Sequence, residues 1–205
     1  MKMTRLMAVA LCAAASVTTT TFAEDDFGSM PTSPVTIDEP VNPQPGMVLK
    51  AYHLDKYMTT EGLKVSFSKM TSLPAMKTLV DKGEEFSLKQ AGQINARIGM
   101  WSGFMKCKKT GCYTLTLTQR ANVRSTYSAG GYSMRVNGKI VIPASLRQTS
   151  ADVNLKAGWN KVDLVCQFGA ASALTITYKP KDSLSDARSL TPAMMFHDKK
   201  PEEDW

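Results

Sequence analysis

The sequence predicts an all-β protein, folded as an antiparallel β-sandwich. From Met47 onward, short apolar segments alternate with turn residues such as Lys-Thr-Gly and Asn-Gly, and β-branched residues are abundant. Helical periodicity is nearly absent, so the strand-like segments follow one another without intervening helices. Closely spaced strands and turns of this kind are typical of a two-sheet sandwich.

Most of the chain after residue 46 is assigned to strands. The predicted strands are 47–53, 63–68, 93–106, 112–119, 132–136, 139–143, 151–155, 160–168 and 173–179. The segment 73–81 is the one part of this region that we predict to be a short helix. Residues 47–197 are therefore treated as the folded domain, followed by a charged tail at 198–205.

Alternation within a strand predicts which side chains reach the core, because successive side chains point to opposite faces. In CYTLTLTQ, the threonines lie on one face and an apolar set lies on the other; this set is Tyr113, Leu115 and Leu117. In strand 160–168, Lys161 and Asp163 lie opposite an apolar face formed by Val162, Leu164, Cys166 and Phe168. We expect both apolar sets to point into the sandwich.

One turn in the sequence has a strong local signal. The pair Asn137-Gly138 in MRVNGKIVI suits a two-residue type I′ turn, in which both central residues need a positive φ. We therefore predict a tight hairpin between strands 132–136 and 139–143.

Residues 1–23 have the pattern of a signal peptide. Lys2 and Arg5 precede a short apolar stretch, and Ala23 is a small residue suited to cleavage before Glu24. A lipoprotein leader processed at Cys12 is the alternative, with a bulky Leu11 where a small residue is usual. No later segment reaches the roughly 20 apolar residues of a membrane helix. We expect an extracytoplasmic protein that is secreted, periplasmic or on the cell surface, and that does not span the membrane.

Residues 24–46 are predicted to be an acidic, proline-rich linker. Five prolines fall between Met30 and Gly46, which blocks helix and discourages a central strand. All charged residues of this segment are acidic, and Glu202, Glu203 and Asp204 form an acidic tail. The chain as a whole nevertheless carries a formal charge of +7, so the domain between these ends is basic.

The positive charge of the domain has two interpretations. It is a solvated surface that keeps a small domain soluble, or it attracts an anionic partner such as an acidic glycan, lipopolysaccharide or phospholipid. In the second case the acidic ends would compete with the partner. An exported location argues against nucleic acid as that partner.

Three segments occur in a characteristic order. IGMWSGFMKCKKTGCYTLTLTQ contains a Trp-x-Gly strand, a Gly-Cys-Tyr turn and a Thr-rich strand; GYSMRVNGKIVI contains a hairpin; VNLKAGWNKVDLVCQF contains a further strand pair around Ala-Gly. In this order and spacing they resemble the protective antigen fourteen-kilodalton domain family, a β-sandwich of toxins, glycosidases and yeast-type adhesins. The resemblance covers about residues 47–180. It implies a carbohydrate-binding module, an adhesin head or a non-catalytic part of a larger protein.

The resemblance also bears on cofactors. In the adhesin branch of that family, two adjacent aspartates on a loop hold a calcium ion, which in turn binds sugar hydroxyls. The predicted domain has no Asp-Asp pair, and its only adjacent acids are Glu84 and Glu85, before the strands that carry the resemblance. We therefore expect no cofactor, with calcium as the alternative.

Three cysteines follow the predicted leader. Cys107 and Cys112 flank four residues, so a hairpin loop there would place them opposite one another, and we predict a disulfide between them. Cys166 falls on an apolar face and is predicted to be a buried thiol; the alternative pairs it with one of the other two. No metal site is expected, because three cysteines without paired histidines do not complete a tetrahedral zinc site.

The sequence contains no recognisable catalytic motif. Its two histidines, His53 and His197, lie near opposite ends of the domain, without a Gly-x-Ser-x-Gly or His-Glu-x-x-His motif. Paired glycosidase carboxylates leave no sequence motif, but acids are few in this basic domain. We expect no catalytic residues and no enzymatic activity.

The segment 120–131, RANVRSTYSAGG, is the predicted binding loop. It is long for a connection between two strands and contains Arg120, Arg124 and Tyr127, which suit an anionic or sugar ligand through forked hydrogen bonds and stacking. The alternative is a solvated loop without a ligand. Trp101 and Trp159 are expected in the core or at its edge rather than in a sugar platform.

Together these observations predict an exported, non-enzymatic, adhesin-like binding module. It would recognise a glycan or another anionic envelope component through its loops. The alternative is a structural or accessory subunit of a surface or secretion assembly, in which the terminal segments bind partner subunits.

Overall fold

The structure is a computed structural model that describes residues 38–53, 73–92, 96–120, 131–145, 149–167 and 173–199. All of these residues belong to one structural unit, Val35–Trp205. The predicted leader and the predicted strand 63–68 lie outside the described residues. In the described part of the chain, no helix is both long and apolar enough to cross a membrane.

The described residues form twelve strands and two short 3-10 helices. The strands are β1 (Pro43–Pro45), β2 (Met47–His53), β3 (Lys77–Asp81), β4 (Ala96–Cys107), β5 (Gly111–Arg120), β6 (Tyr132–Val136), β7 (Lys139–Ser145), β8 (Thr149–Leu155), β9 (Gly158–Gln167), β10 (Ala173–Pro180), β11 (Arg188–Leu190) and β12 (Phe196–Asp198). The 3-10 helices are Leu88–Ala91 and Pro192–Met194.

These strands form two antiparallel sheets. The larger sheet has the order β1-β12-β4-β9-β6-β7, with β2 also paired to β4 and β3 paired to β2. The smaller sheet has the order β11-β10-β5-β8. Strand β4 is central to the larger sheet, because it pairs with β9 from Ile98 to Cys107 and with β2 and β12 on its other side.

The main core lies between the two sheets, and a smaller buried cluster contains Tyr52, Ile98, Met100 and Val165 of the larger sheet. One buried cluster contains side chains from both: Leu49, Trp101, Met134, Val162, Leu164 and Cys166 from the larger sheet, and Leu115, Leu117, Val153, Leu155, Leu174 and Ile176 from the smaller one. Tyr113 is half-buried against this cluster. The predicted sandwich and the predicted inward faces of β5 and β9 are therefore confirmed over the described residues, which do not include Phe168.

The hairpin between β6 and β7 is also confirmed. Val136 pairs with Lys139, and the two residues between them have positive φ, 50° at Asn137 and 79° at Gly138. The side chain of Asn137 strengthens the turn, since its Oδ1 accepts a 2.8 Å hydrogen bond from the Lys161 backbone N–H. The hairpin is thereby attached to β9.

The predicted helix at 73–81 is wrong. Lys77–Asp81 forms β3, which pairs with β2. Lys77 lies opposite Ala51 at one end of the pairing, and Asp81 lies opposite Met47 at the other. An extended conformation lets this segment bond to the edge of β2 and packs Leu79 against the core. Pairing with a distant strand has overridden the local pattern, as is common for short segments.

At two connections, the sequence suggested that the flanking strands pair with each other. In the structure, each of these connections instead joins a strand of one sheet to a strand of the other. Cys107, at the end of β4, pairs with Gly158 in the larger sheet, whereas Gly111 of β5 pairs with Leu155 in the smaller sheet. The Ala-Gly turn after Leu155 likewise joins β8 of the smaller sheet to β9 of the larger one. The predictions of a hairpin at 107–112 and of a strand pair around Ala-Gly are therefore wrong.

Part of the segment predicted to be a linker forms a strand. Pro43–Pro45 forms β1, which pairs with β12 at the edge of the larger sheet. An edge tolerates proline, because a backbone that faces solvent does not need to donate to a neighbour. The Asn42 backbone N–H also donates to Asp198 Oδ1 at 2.8 Å. The backbone entering the domain thus lies beside the backbone leaving it.

Candidate functional site

The candidate site lies on the outer face of the larger sheet, by which we mean the face turned away from the core. Trp101 and Met105 of β4 are in the core, so the alternating residues Ser102 and Phe104 point to the outer face. On β9, Leu164 is in the core and Asp163 is on the outer face by the same alternation. Strand pairing then determines which outer side chains are neighbours.

A row of polar side chains crosses the centre of this face. In register, Ser102 of β4 lies beside Asp163 of β9, and Asp163 lies beside Arg135 of β6. On its other side, Ser102 pairs with Val48 of β2, where the polar row ends. Three strands that are far apart in sequence therefore bring a hydroxyl, a carboxylate and a guanidinium together.

Asp163 is the centre of this row, and both of its oxygens are engaged. Ser102 Oγ donates a 2.6 Å hydrogen bond to Oδ1, while Arg135 contacts Oδ2 through Nε at 3.0 Å and Nη2 at 2.8 Å. Asp163 is buried and Arg135 is partly exposed. A buried carboxylate needs such a partner, because its charge has lost most of its hydration. The ion pair therefore holds Arg135 in one position.

A depression of about 220 Å³ surrounds the polar row. Lys50 and Tyr52 of β2, Met100 of β4 and Lys161 of β9 complete its lining. Among the residues that the structure describes, three cationic side chains thus face one carboxylate, which leaves an excess of two positive charges. Burial raises the pKa of Tyr52 above its ordinary value, so this phenol is neutral at physiological pH. The depression is cationic, with polar and apolar walls.

An aromatic cluster, formed by Phe104, Trp159 and Phe196, lies next to the depression on the same face. The rings of Trp159 and Phe196 meet edge to face, with centroids 5.2 Å apart, and Phe104 pairs in register with Phe196. Lys106 Nζ lies 5.1 Å from the centre of the Trp159 ring. All three aromatic residues are half-buried, so the cluster combines exposed ring surface with a nearby cation.

Trp159, which we expected in the core or at its edge, is half-buried in this outer cluster and belongs to neither buried core cluster. Trp101 has a different role. It is fully buried in the core, as predicted, and its Nε1 donates a 2.7 Å hydrogen bond to Asp81 Oδ2. Burial raises the pKa of Asp81, although the hydrogen bonds from Trp101 and from the Gly83 backbone partly oppose this. Because solvent does not reach either side chain, this pair belongs to the core.

The predicted binding loop lies largely outside the described residues. Arg120 ends β5, opposite Ala173, and Arg124 and Tyr127 fall in the segment 121–130, which is not described. The chain re-enters at Gly131, whose carbonyl accepts a 2.8 Å hydrogen bond from the Gln167 backbone N–H. The assignment of these three residues to a ligand site stays a prediction.

The three described cysteines are free thiols. Cys107 is buried in the core, whereas Cys112 is half-buried and lies on the outward side of β5, because its neighbour Tyr113 packs inward. Cys166 is fully buried as predicted, and burial raises its pKa well above the ordinary value of a thiol. The Cys107–Cys112 disulfide stays a prediction, without the hairpin that suggested it.

Other candidate ligands for a metal ion are dispersed. Among the described residues, no group of three or more histidine, cysteine, aspartate and glutamate side chains could hold a metal ion. His197 is buried on β12, and His53 is half-buried at the end of β2. Glu85 forms an ion pair with Lys89, with 2.6 Å between Oε1 and Nζ. None of these residues belongs to the cationic depression.

Most of the depression was not predictable from the sequence. Alternation places Lys161 and Asp163 on the face of β9 opposite the core, but it does not connect them to Lys50, Ser102 or Arg135. One signal was present: Ser102 is a polar residue in the middle of the apolar segment IGMWSGFM. A hydroxyl there indicates that this strand has a polar neighbour on one face.

Comparison with known proteins identifies structures of similar fold but no close relative by sequence. No family model matches the chain, and no curated protein matches its sequence. In fold it is similar to an anti-sigma factor domain-containing protein (TM-score 0.52, 15% identity), covering 79% of this chain and 52% of that one. The chain thus spans about half the length of that protein.

Two further similar structures are single domains. The PA14 sugar-binding domain from an RTX adhesin matches with a TM-score of 0.50 and 14% identity, over 76% of this chain and 99% of that domain. The A domain of epithelial adhesin 9 from Candida glabrata, in complex with Galβ1-4GlcNAc, matches with a TM-score of 0.51 and 9% identity, over 80% and 96%. At these identities the likeness concerns the fold, and by fold this chain is a β-sandwich like those of PA14 domains.

Proposed function

We propose that the protein is an exported, non-enzymatic module that binds cell-surface saccharides through the outer face of its larger sheet. The observation that carries the proposal is the depression around Asp163, where Lys50, Arg135 and Lys161 lie beside a half-buried aromatic cluster. Polar groups that fix orientation next to exposed ring surface are the usual composition of a small-ligand site.

The fold supports the same proposal. Two proteins of similar fold are described as a sugar-binding domain and as an adhesin domain in complex with a disaccharide. Export rests on the predicted signal peptide at residues 1–23, and two of the three similar structures described above are adhesin domains. A surface-exposed adhesin or a periplasmic receptor would both meet saccharides of this kind.

The contacts of the depression argue for binding rather than catalysis. Most glycosidases use two carboxyl groups, one of which must accept or donate a proton. Among the described residues, Asp163 is the only carboxylate that lines this depression, and its two oxygens are bound by Ser102 and Arg135. These contacts suit Asp163 to positioning Arg135 rather than to transferring a proton.

A glycan array tests the proposal. The mature protein should bind a subset of saccharides, and the double variant Lys50→Ala/Lys161→Ala should lose at least tenfold in affinity for them. The control is Lys179→Ala/Lys181→Ala, which removes the same charge at the C-terminal end of β10 and should bind as the wild type does. Absence of saccharide binding, or equal loss in both variants, would contradict the proposed site.

The alternative role as an assembly subunit requires a different deletion from the one that the sequence suggests. Removing residues 24–46 would delete β1, so a truncation should end at residue 37 and retain Pro43–Pro45. A saccharide-binding module should keep its affinity after this truncation. A subunit that docks through its N-terminal segment should lose its partners.

A further inference from the structure

We propose that the saccharide carries an acidic group, and that the depression holds this group between Lys50 and Lys161 while the aromatic cluster packs against a neighbouring sugar ring. This inference rests on the proposed function and names the class of ligand for the same site. It depends on the charge balance, the fixed position of Arg135 and the spacing of the two parts of the site.

The charge balance favours an anion. Asp163 is already paired with Arg135, so the excess charge of the depression comes from Lys50 and Lys161. Both lysines are exposed, and no acidic partner is assigned to either among the described residues. They lie on opposite sides of the polar row, since Lys50 pairs with Met100 and Lys161 pairs with Phe104, while Ser102 lies between these two. An anionic group over the row would be within the reach of two flexible ammonium groups.

The position of Arg135 is fixed before any ligand binds. Its Nε and Nη2 both contact Asp163 Oδ2, which restricts the guanidinium to one orientation on the floor of the site. A cation that is already oriented loses little conformational entropy when a ligand arrives. The site therefore has a rigid centre and two mobile cationic arms.

The aromatic cluster lies at a suitable distance from this centre. Phe104 and Lys161 are each two residues along their strands from Ser102 and Asp163, which corresponds to roughly 7 Å on one face of a strand. Adjacent rings of a saccharide chain can span such a distance. One ring would carry the anionic group, and the next would pack on Phe104, Trp159 and Phe196.

Other ligands would use only part of these features. A neutral saccharide would pack on the rings but would not compensate the two lysines, and a free sulfate or phosphate would leave the aromatic cluster unused. Single-stranded nucleic acid could use both phosphate charge and stacking, so it must be one arm of the test. The acidic saccharide combines the two parts without requiring a nucleic acid outside the cell.

The experiment measures the affinity of the mature protein for dextran, carboxymethyl dextran and dextran sulfate of equal chain length. Acidic forms should bind at least tenfold more tightly than dextran, and raising the salt concentration should weaken only the acidic forms. Lys50→Ala/Lys161→Ala should remove this preference, so that the acidic forms bind it no more tightly than dextran does. Lys179→Ala/Lys181→Ala should retain the preference.

Each contrary result has a separate meaning. Equal binding of dextran and its acidic forms would overturn this inference while the proposed function stands, whereas failure to bind any saccharide would overturn both. Inorganic sulfate that binds as tightly as dextran sulfate would identify a simple anion site instead. A deoxythymidine oligonucleotide that binds more tightly than dextran sulfate, with the same loss in Lys50→Ala/Lys161→Ala, would identify a nucleic-acid site.

Discussion

Trp101 Nε1 donates a 2.7 Å hydrogen bond to Asp81 Oδ2, and both side chains are fully buried. The second oxygen of Asp81 accepts a 2.8 Å hydrogen bond from the Gly83 backbone N–H. The pair joins edge strand β3 to central strand β4. Because burial disfavours the charged carboxylate, the pKa of Asp81 is raised above its value in the unfolded chain.

The raised pKa predicts how stability depends on pH. The folded state binds the Asp81 proton more tightly than the unfolded state does, so this contribution is fully present below the unfolded pKa and is lost as pH rises through the folded pKa. The Asp81→Asn variant lacks this ionisable group, so its stability does not contain this pH-dependent contribution. As pH rises from about 4 to about 8, the free energy of unfolding of the wild type should therefore fall relative to that of Asp81→Asn. Urea unfolding of both proteins across this range measures the difference; a constant difference would contradict the raised pKa.

The opposite faces of β5 predict unequal effects of two adjacent substitutions. Leu117→Ala removes a fully buried side chain from between the sheets and should cost about 2–5 kcal/mol. Thr116→Ala removes only an exposed hydrogen bond to Ser150 Oγ and should cost at most about 1 kcal/mol. Chemical denaturation gives both values. Similar losses would mean that the faces of this strand are assigned incorrectly.

The Arg135–Asp163 pair predicts an asymmetric response to substitution. Arg135→Ala leaves the buried carboxylate of Asp163 without its cation and should cost about 3–5 kcal/mol of unfolding free energy. The double variant Arg135→Met/Asp163→Leu removes both charges and should recover most of that loss. If Arg135→Ala costs less than about 1 kcal/mol, the pair does not position the floor of the depression.

The cysteines predict an order of alkylation. Burial raises the pKa of Cys107 and raises that of Cys166 further, and only the thiolate reacts with iodoacetamide. In the native, reduced protein Cys112 should be labelled first, whereas Cys166 should react only after unfolding. Peptide mass spectrometry identifies the labelled sites. The same measurement on protein from an oxidising compartment tests the predicted disulfide, which would protect both Cys107 and Cys112.

Local patterns predicted eight of the twelve described strands but missed β1, β3, β11 and β12, and they did not predict the sheet to which each strand belongs. The alternation of Leu115 and Leu117 and the positive φ of Asn137-Gly138 are properties of a few neighbouring residues, so the sequence contains them directly. The crossing after Cys107 is different, because three residues between two strands look locally like a hairpin. Only pairing with β8 and β9, tens of residues away, decides that the chain changes sheets.

The candidate site was less predictable for the same reason. The position of Asp163 opposite the core followed from alternation, but its burial did not, because Ser102 is 61 residues away in sequence and Arg135 is 28 residues away. The wrong helix at 73–81 likewise arose where pairing with β2 outweighs local preference. Strand register, rather than any sequence motif, brings the cations of the depression together.

Mapping amide chemical shifts during a titration with dextran sulfate oligosaccharide tests the binding surface most directly. We predict saturable changes that cluster on β2, β4, β6 and β9, strongest around Lys50, Ser102, Arg135 and Lys161, and that require much higher ligand concentrations in Lys50→Ala/Lys161→Ala. Changes confined to the outer side of β5, β8 and β10, or to residues 121–130, would contradict a binding site on the larger sheet.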